Sequence, residues 1–320
     1  MDTAVSPPAS AAPVEAAPVV QLDGVTVRYG GNQALNNVTA RFAKGAVGLL
    51  GPNGAGKSTM LKALLGFVAP AQGHMRVFGM DVAKEPLAIR ARLGYMPESD
   101  AHIPGMNAVS FVAYCGQLAG LPAADAMQRA HEVLYYVGLG EARYRNVDTY
   151  STGMKQRIKL AQALVHDPDL LFLDEPTNGM DPKGRDEMLE LVRDLAHNKG
   201  VSLILSSHLL PDVEYTCDHV VVMNKARVTA QGPIAELKGP AGRVFELRIK
   251  GDLGGFLQVL HEAGMQLHGT DEDVMRVFVP GAGDQKAIFD AAARFGVQVR
   301  HLRPSIPTLE DVFAKAVGED

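Results

Sequence analysis

The chain of 320 residues has few cysteines, no concentration of basic residues and no long apolar run. Cys115 and Cys217 are its only cysteines, and their wide separation suits a reducing compartment rather than a disulfide-rich secreted scaffold. No stretch approaches the roughly 20 apolar residues that span a bilayer. The net charge is −5 without a compensating basic cluster, which argues against a nucleic-acid partner. We therefore expect a cytoplasmic globular protein.

Composition and breaker residues predict three parts. Residues 1–19 are rich in alanine and proline and have neither a basic start nor a continuous apolar core, so we expect a disordered leader and no signal peptide. Residues 20–239 alternate short apolar runs with helical stretches, as in an α/β domain, except for a predicted helical subdomain at about 100–165. Residues 240–320 follow a Gly/Pro cluster and predict a small α+β domain of ferredoxin-like order βαββαβ.

The most informative segment reads GPNGAGKST at residues 51–59 and matches the phosphate-binding pattern GxxxxGK[ST] without a mismatch. Its glycines allow successive backbone N–H groups to surround phosphate oxygens. Lys57 is expected to reach the β- and γ-phosphates, and the Ser58 hydroxyl to bind Mg²⁺. The predicted nucleotide-binding residues here are Gly51, Asn53, Gly54, Gly56, Lys57, Ser58 and Thr59. The segment lies between an apolar strand and a helix, so the sequence predicts a P-loop NTPase core that binds a nucleoside triphosphate.

A second apolar strand, residues 170–173, ends in Asp174 and Glu175. P-loop enzymes hold the Mg²⁺ shell with an acid at the end of such a strand, so Asp174 is the expected metal-side residue. Because side chains alternate along a strand, we expect Glu175 on the opposite face, placed to deprotonate a water molecule that attacks the γ-phosphate.

Residues 150–157, YSTGMKQR, form a polar turn that opens a helix, with Ser151 as its N-cap. Here the sequence resembles the nucleotide-binding subunit of an ABC transporter, whose signature motif is usually LSGGQ. Ser151 and Gly153 match the phosphate-contacting positions of that motif. Thr152 and Met154 depart from it in a way that resembles the exporter branch of the family.

The remaining motifs of that family occur in the expected order. Tyr29 matches the aromatic residue that stacks on adenine, and Asp181 belongs to a segment that resembles the D-loop. His208 follows a predicted strand and resembles the switch histidine that contacts the γ-phosphate. The resemblance thus implies that Glu175 and His208 are catalytic, and that the cofactors are ATP and Mg²⁺.

Glu98 stands where the family normally has the glutamine of the Q-loop. A carboxylate can still accept from a metal-bound water molecule, but it adds negative charge and cannot donate. Two interpretations stay open at this point: Glu98 contributes to the Mg²⁺ shell, or it faces the permease or solvent.

The resemblance implies an ATPase subunit that closes as a dimer on ATP and drives a separate integral-membrane permease, with export as the expected direction. One complete set of motifs predicts a homodimer, bound peripherally to the inner face of the cell membrane through the permease. The alternative is an ABC-type ATPase that acts on the ribosome or DNA, although tandem domains and basic arms are not visible. A GTP-dependent switch is disfavoured because Arg227 stands where the guanine-reading carboxylate is needed.

Overall fold

The computed structural model describes residues 17–238, 244–251, 253–262, 264–271, 274–279, 285–294, 296–305 and 308–317. Most of the predicted leader lies outside these ranges. The chain divides into two compact units between Gly232 and Pro233, slightly before the predicted boundary at residue 239. Within the described residues, no helix is both long enough and apolar enough to cross a membrane.

The first unit contains a four-stranded antiparallel sheet with the order β2-β1-β4-β5. Its strands are β1 (Val20–Tyr29), β2 (Asn32–Phe42), β4 (Gln72–Val77) and β5 (Met80–Asp81). Alternate residues of β1 and β2 point into a shared core, which explains why Leu22 and Phe42 are almost fully buried. This sheet packs against the helix that follows the P-loop, so it fixes one wall of the predicted nucleotide site.

The second sheet of this unit has six strands in the order β10-β9-β3-β8-β7-β6. They are β3 (Ala46–Leu50), β6 (Leu93–Met96), β7 (Leu170–Asp174), β8 (Ser202–Ser207), β9 (His219–Asn224) and β10 (Arg227–Pro233). Every residue of β3, β7 and β8 is buried, as expected for parallel strands covered on both faces. Because β3, β7 and β8 are parallel neighbours, their carboxyl ends meet at one edge of the sheet.

Helices of the first unit cover the parallel sheet and form the predicted helical subdomain. Those outside the subdomain are α1 (Lys57–Leu64), α2 (Pro86–Arg90), α6 (Pro182–His197) and α7 (Leu210–Thr216). Between β6 and β7 lie α3 (Ala108–Leu118), α4 (Ala123–Tyr136) and α5 (Thr152–Leu164) with two short 3₁₀ turns. Asn107 caps α3 by accepting from the Ser110 N–H at 2.9 Å. The absence of strands from this insertion agrees with the sequence prediction.

The second unit has the βαββαβ order predicted from the sequence. After α8 (Ile234–Lys238) its elements are β11 (Val244–Lys250), α9 (Leu253–Glu262), β12 (Gln266–Asp271), β13 (Val274–Phe278), α10 (Lys286–Arg294), β14 (Gln298–Ser305) and α11 (Leu309–Val317). The sheet order is β12-β13-β11-β14, with antiparallel pairing. Phe245 and Leu247 point into a core shared with α9 and α10, while Glu246 between them pairs with Arg303.

Candidate nucleotide-binding site

The P-loop connects the end of β3 to the start of α1, and two of its glycines are required by the backbone. Gly56 caps α1 with φ +106, and a Cβ atom there would lie 2.6 Å from the Ala34 carbonyl oxygen. Gly54 has φ +81 but open space around its Cα. L-residues rarely adopt these angles, so the glycines hold the loop in a shape that exposes N–H groups at the N-terminus of α1. The loop therefore has the form of an anion site.

Lys57 is the first residue of α1 and is almost fully buried. Its Nζ donates to the Gly51 carbonyl oxygen at 2.7 Å and lies 4.0 Å from Glu175 Oε1. Burial lowers the pKa of Lys57, while the negative charges of Glu175, Asp174 and Glu98 act in the opposite direction. The lysine thus provides a positive charge that is held inside the loop and surrounded by carboxylates.

An open cavity of about 490 Å³ lies over the P-loop. It brings together residues from four separate parts of the first unit, which are distant in sequence. Its lining consists of Tyr29, Asn32, Gln33, Ala34, Asn53, Gly54, Ala55, Gly56, Lys57, Ser58, Thr59, Glu98 and Glu175. Tyr29 ends β1 and is half exposed, so its ring is available to a planar base. The geometry accordingly joins an aromatic side chain, a phosphate-binding loop and two carboxylates around one space.

Asp174 ends β7 as predicted and is buried, directly before the cavity residue Glu175, but it is not itself among the residues that line the cavity. Its Oδ1 atom has no hydrogen-bond partner among the described residues. A buried carboxylate oxygen without a partner is available to a ligand, and Ser58 supplies a hydroxyl to the cavity lining. No three His, Cys, Asp or Glu residues in the described chain group together as a metal cage. Mg²⁺ is typically bound by one or two carboxylates together with substrate phosphates, so Asp174 and Ser58 fit that ion.

Glu175 lies at the cavity, but strand alternation is not what places it there. The strand ends at Asp174, and Glu175 has a left-handed backbone conformation with φ 51. Its N–H donates to the Ser206 carbonyl oxygen at 2.9 Å, which anchors this strained residue to the neighbouring strand β8. The turn of the backbone, rather than the period of the strand, directs the carboxylate toward Lys57.

His208 contacts the same carboxylate. Its Nδ1 lies 2.9 Å from Glu175 Oε2, and its ring is partly exposed just beyond the end of β8. Burial raises the pKa of Glu175, whereas the hydrogen bond and charge of His208 and the charge of Lys57 lower it. A carboxylate with a raised pKa and a fixed partner is suited to proton transfer.

Ser151, Gly153 and Asp181 are not among the residues that line the cavity in the described chain. Ser151 caps α5 and accepts from the Met154 N–H at 3.4 Å. Asp181 caps α6, and its side chain makes no capping hydrogen bond. The two segments pack together, since Gln156 Nε2 donates to the Asn178 carbonyl oxygen at 2.8 Å. The signature-like turn and the D-loop-like segment thus form one surface of their own.

Two sets of residues in or near the site were not singled out from the sequence. Asn32 to Ala34 line the cavity because the turn after β1 returns the chain beside Tyr29. Gln156 and Lys159 are polar residues buried on α5, one helical turn apart. For Gln156 and Lys159, the sequence did offer a signal, because two polar residues one turn apart on the buried face of a predicted amphipathic helix need polar partners.

Comparison with known proteins agrees with this geometry. The family that matches residues 35–178 is described as ABC transporter. An uncharacterized ABC transporter ATP-binding protein YxlF of Bacillus subtilis is 34% identical over 93% of this chain and 99% of its own length. The daunorubicin resistance ATP-binding protein DrrA3 of Streptomyces coeruleorubidus is 34% identical over 94% and 96%. A solved ATP-binding subunit of an ABC transporter is 28% identical, with a TM-score of 0.62 over 69% of this chain and 92% of that one.

Proposed function

Because the chain belongs to the ABC transporter family, as an ATP-binding protein, we propose that it hydrolyses ATP to drive a separate membrane permease that exports its cargo. The relative from Streptomyces is named for daunorubicin resistance, which supports export as the direction. The relative from Bacillus is named as an ABC transporter ATP-binding protein, which favours transport over action on the ribosome or DNA. We infer that the subunit works at the inner face of the membrane, bound to its permease.

The observation that carries the proposal is the position of Glu175. Its buried carboxylate lies at the cavity over the P-loop, 4.0 Å from Lys57 Nζ and 2.9 Å from His208 Nδ1. A general base must lie near both the phosphate-binding groups and a residue that orients it. These two distances support Glu175 as the general base.

The predicted site residues then have separate roles in the reaction. Tyr29 stacks on the adenine ring, while the N–H groups of the P-loop and Lys57 bind the β- and γ-phosphates. Ser58 and Asp174 would hold a Mg²⁺ ion, which when bound would supply positive charge to the phosphates. Glu175 accepts a proton from the attacking water molecule, and His208 keeps its carboxylate ionised and oriented.

We propose further that two copies of the chain close on two ATP molecules. The surface formed by Ser151, Gly153 and Asp181 is separate from the P-loop cavity of its own subunit, yet Ser151 stands at a helix N-terminus that favours anions. In a head-to-tail pair, this surface of one subunit reaches the γ-phosphate bound by the other. The arrangement makes hydrolysis dependent on dimer closure.

The test is the variant Glu175→Gln, which keeps the size of the side chain but cannot accept the proton. We expect ATP binding to persist and hydrolysis to fall about 10²–10⁴-fold, as for loss of a general base. The variant should also accumulate an ATP-bound dimer in size-exclusion chromatography. Glu190→Gln on the exposed face of α6 is the matched control and should hydrolyse ATP normally. Turnover above about a tenth of the wild-type rate would remove Glu175 as the base.

A further inference from the structure

Lys159 is a buried lysine on α5 that contacts the segment carrying Glu98. Only 4% of the residue is exposed. Its Nζ donates to two consecutive carbonyl oxygens, that of Pro97 at 3.0 Å and that of Glu98 at 2.6 Å. The carboxylate of Asp100 lies 4.0 Å from the same nitrogen. The ammonium group of Lys159 therefore contacts three residues within a short stretch of the chain after β6.

This segment needs an anchor. Between the end of β6 at Met96 and the start of α3 at Ala108, the chain has no helix or strand, apart from an isolated bridge at Asn107. Glu98 nevertheless lines the nucleotide cavity from this irregular segment. Without repeating backbone hydrogen bonds, the position of its side chain depends on individual contacts. Lys159 supplies two of them directly.

The anchor belongs to the helix that begins at the signature-like turn. Ser151 caps α5, and Lys159 follows two helical turns later. Gln156, on the same side of the helix, holds the Asn178 carbonyl oxygen at 2.8 Å, and the Asn178 N–H in turn donates to the Glu175 carbonyl oxygen at 3.2 Å. The side chains of one helix thus contact both segments that deliver a carboxylate to the nucleotide cavity.

We propose that Lys159 is a positioning residue that fastens the Glu98 segment to α5 and so holds Glu98 in its place at the nucleotide cavity. The proposal rests on the proposed ATPase function and extends it. A buried lysine is costly unless it is paired, and its partners here are two backbone carbonyls and Asp100 rather than an apolar pocket. The burial of the Lys159 ammonium group is therefore explained by its contacts with the segment that carries Glu98.

The neighbouring Lys155 provides a matched control. Its Nζ lies 3.2 Å from Asp100 Oδ2, but it is more exposed than Lys159, and its recorded ion pair is to the Asp100 side chain. Lys155→Met removes a charge from the same helix and the same acidic partner. It leaves the hydrogen bonds to Pro97 and Glu98 intact.

The experiment is a double-mutant cycle with Lys159→Met and Glu98→Gln. The measurement is the Mg²⁺ concentration that half-saturates binding of the fluorescent analogue trinitrophenyl-ATP, followed by kcat and KM for ATP. If Lys159 acts through Glu98, the change in half-saturating Mg²⁺ concentration that Glu98→Gln causes in the wild type should be mostly absent in the Lys159→Met background. The two substitutions should then be coupled by a factor of at least about three in this concentration. Lys155→Met should leave the effect of Glu98→Gln unchanged. We expect kcat to fall in Lys159→Met while KM for ATP stays close to that of the wild type.

Additive effects of the two substitutions, or no effect of Lys159→Met on either measurement, would overturn the proposal. Should Lys159→Met fail to fold, Lys159→Gln keeps a neutral donor and should show a smaller coupling of the same sign. Wild-type protein that neither binds nor hydrolyses ATP would instead refute the proposed function, so the two failures are distinguishable.

Discussion

Replacing His208 with alanine tests how the protein controls its general base. In the wild type, the Glu175 carboxylate is buried and has His208 Nδ1 at 2.9 Å and Lys57 Nζ at 4.0 Å. His208→Ala leaves the Glu175 carboxylate with Lys57 as its cationic neighbour. Lys57 already donates to the Gly51 carbonyl oxygen, so it is not free to replace the lost contact fully.

The size of the effect follows from the contact that is removed. Hydrogen bonds to charged groups contribute about 1.5–3 kcal/mol. The His208 side chain is 44% exposed, so water replaces part of the interaction and the lower end of that range applies. About 1.5 kcal/mol of transition-state stabilisation corresponds to roughly a tenfold fall in kcat.

The same substitution changes the pH dependence in a defined direction. Burial raises the pKa of Glu175, and the hydrogen bond and charge of His208 lower it. Removing His208 therefore raises the pKa further. A general base must be ionised to accept a proton, so the acid side of the pH–rate profile moves to higher pH.

The assay is steady-state ATPase activity as a function of pH for the wild type, His208→Ala and His208→Gln. The glutamine variant keeps a neutral donor and should lie between the other two. His219→Ala, a half-buried histidine of β9, is the control and should leave the profile in place. An unchanged acid side together with unchanged kcat in His208→Ala would refute the role assigned to the contact with Glu175.

Three further predictions follow from the structure. Gly56→Ala should lower the free energy of unfolding by about 1–3 kcal/mol in urea titrations and impair nucleotide binding, because φ is +106 and the new Cβ meets the Ala34 carbonyl oxygen; Gly54→Ala, with similar φ and open space, should cost less. EDTA should abolish hydrolysis, and added Mg²⁺ should restore it. Asp174→Asn should raise the Mg²⁺ concentration that hydrolysis requires. Equal Mg²⁺ titrations of the variant and the wild type would contradict the assignment of Asp174 to the metal. A chain ending at Gly232 should fold on its own and bind the ATP analogue with an affinity within about threefold of the full-length chain, a difference below about 1 kcal/mol. An insoluble product would contradict the division into two units at this residue.

The local motifs were readable from the sequence because each is specified by residues that are adjacent in the chain. The P-loop depends on glycines that tolerate unusual backbone angles, and the Ser151 cap depends on a hydroxyl that accepts from the N–H three residues ahead. The parallel core follows from continuous apolar runs such as β3 and β7, and the βαββαβ order from the alternation of strand and helix patterns.

Contacts between distant residues required the tertiary structure. The sequence placed Asp174 and Glu175 on opposite faces of a strand, but the strand ends at Asp174, and a left-handed turn directs Glu175 to Lys57 and His208. That conformation is held by the Ser206 carbonyl of the next strand. No local pattern encodes such a bond.

The contact between Lys159 and the Glu98 segment is a second one that the sequence alone could not predict. The sequence showed that Glu98 departs from the family motif but left its position open, whereas the structure brings it to the cavity wall and attaches its segment to Lys159. These two residues are 61 positions apart in the chain, so their contact exists only once β6 and α5 have packed together. Burial destabilises the charged form of Lys159 and lowers its pKa, and the backbone carbonyls after β6 accept its hydrogen bonds. The sequence by itself determined which chemical groups the protein has, and packing decided which of them act together.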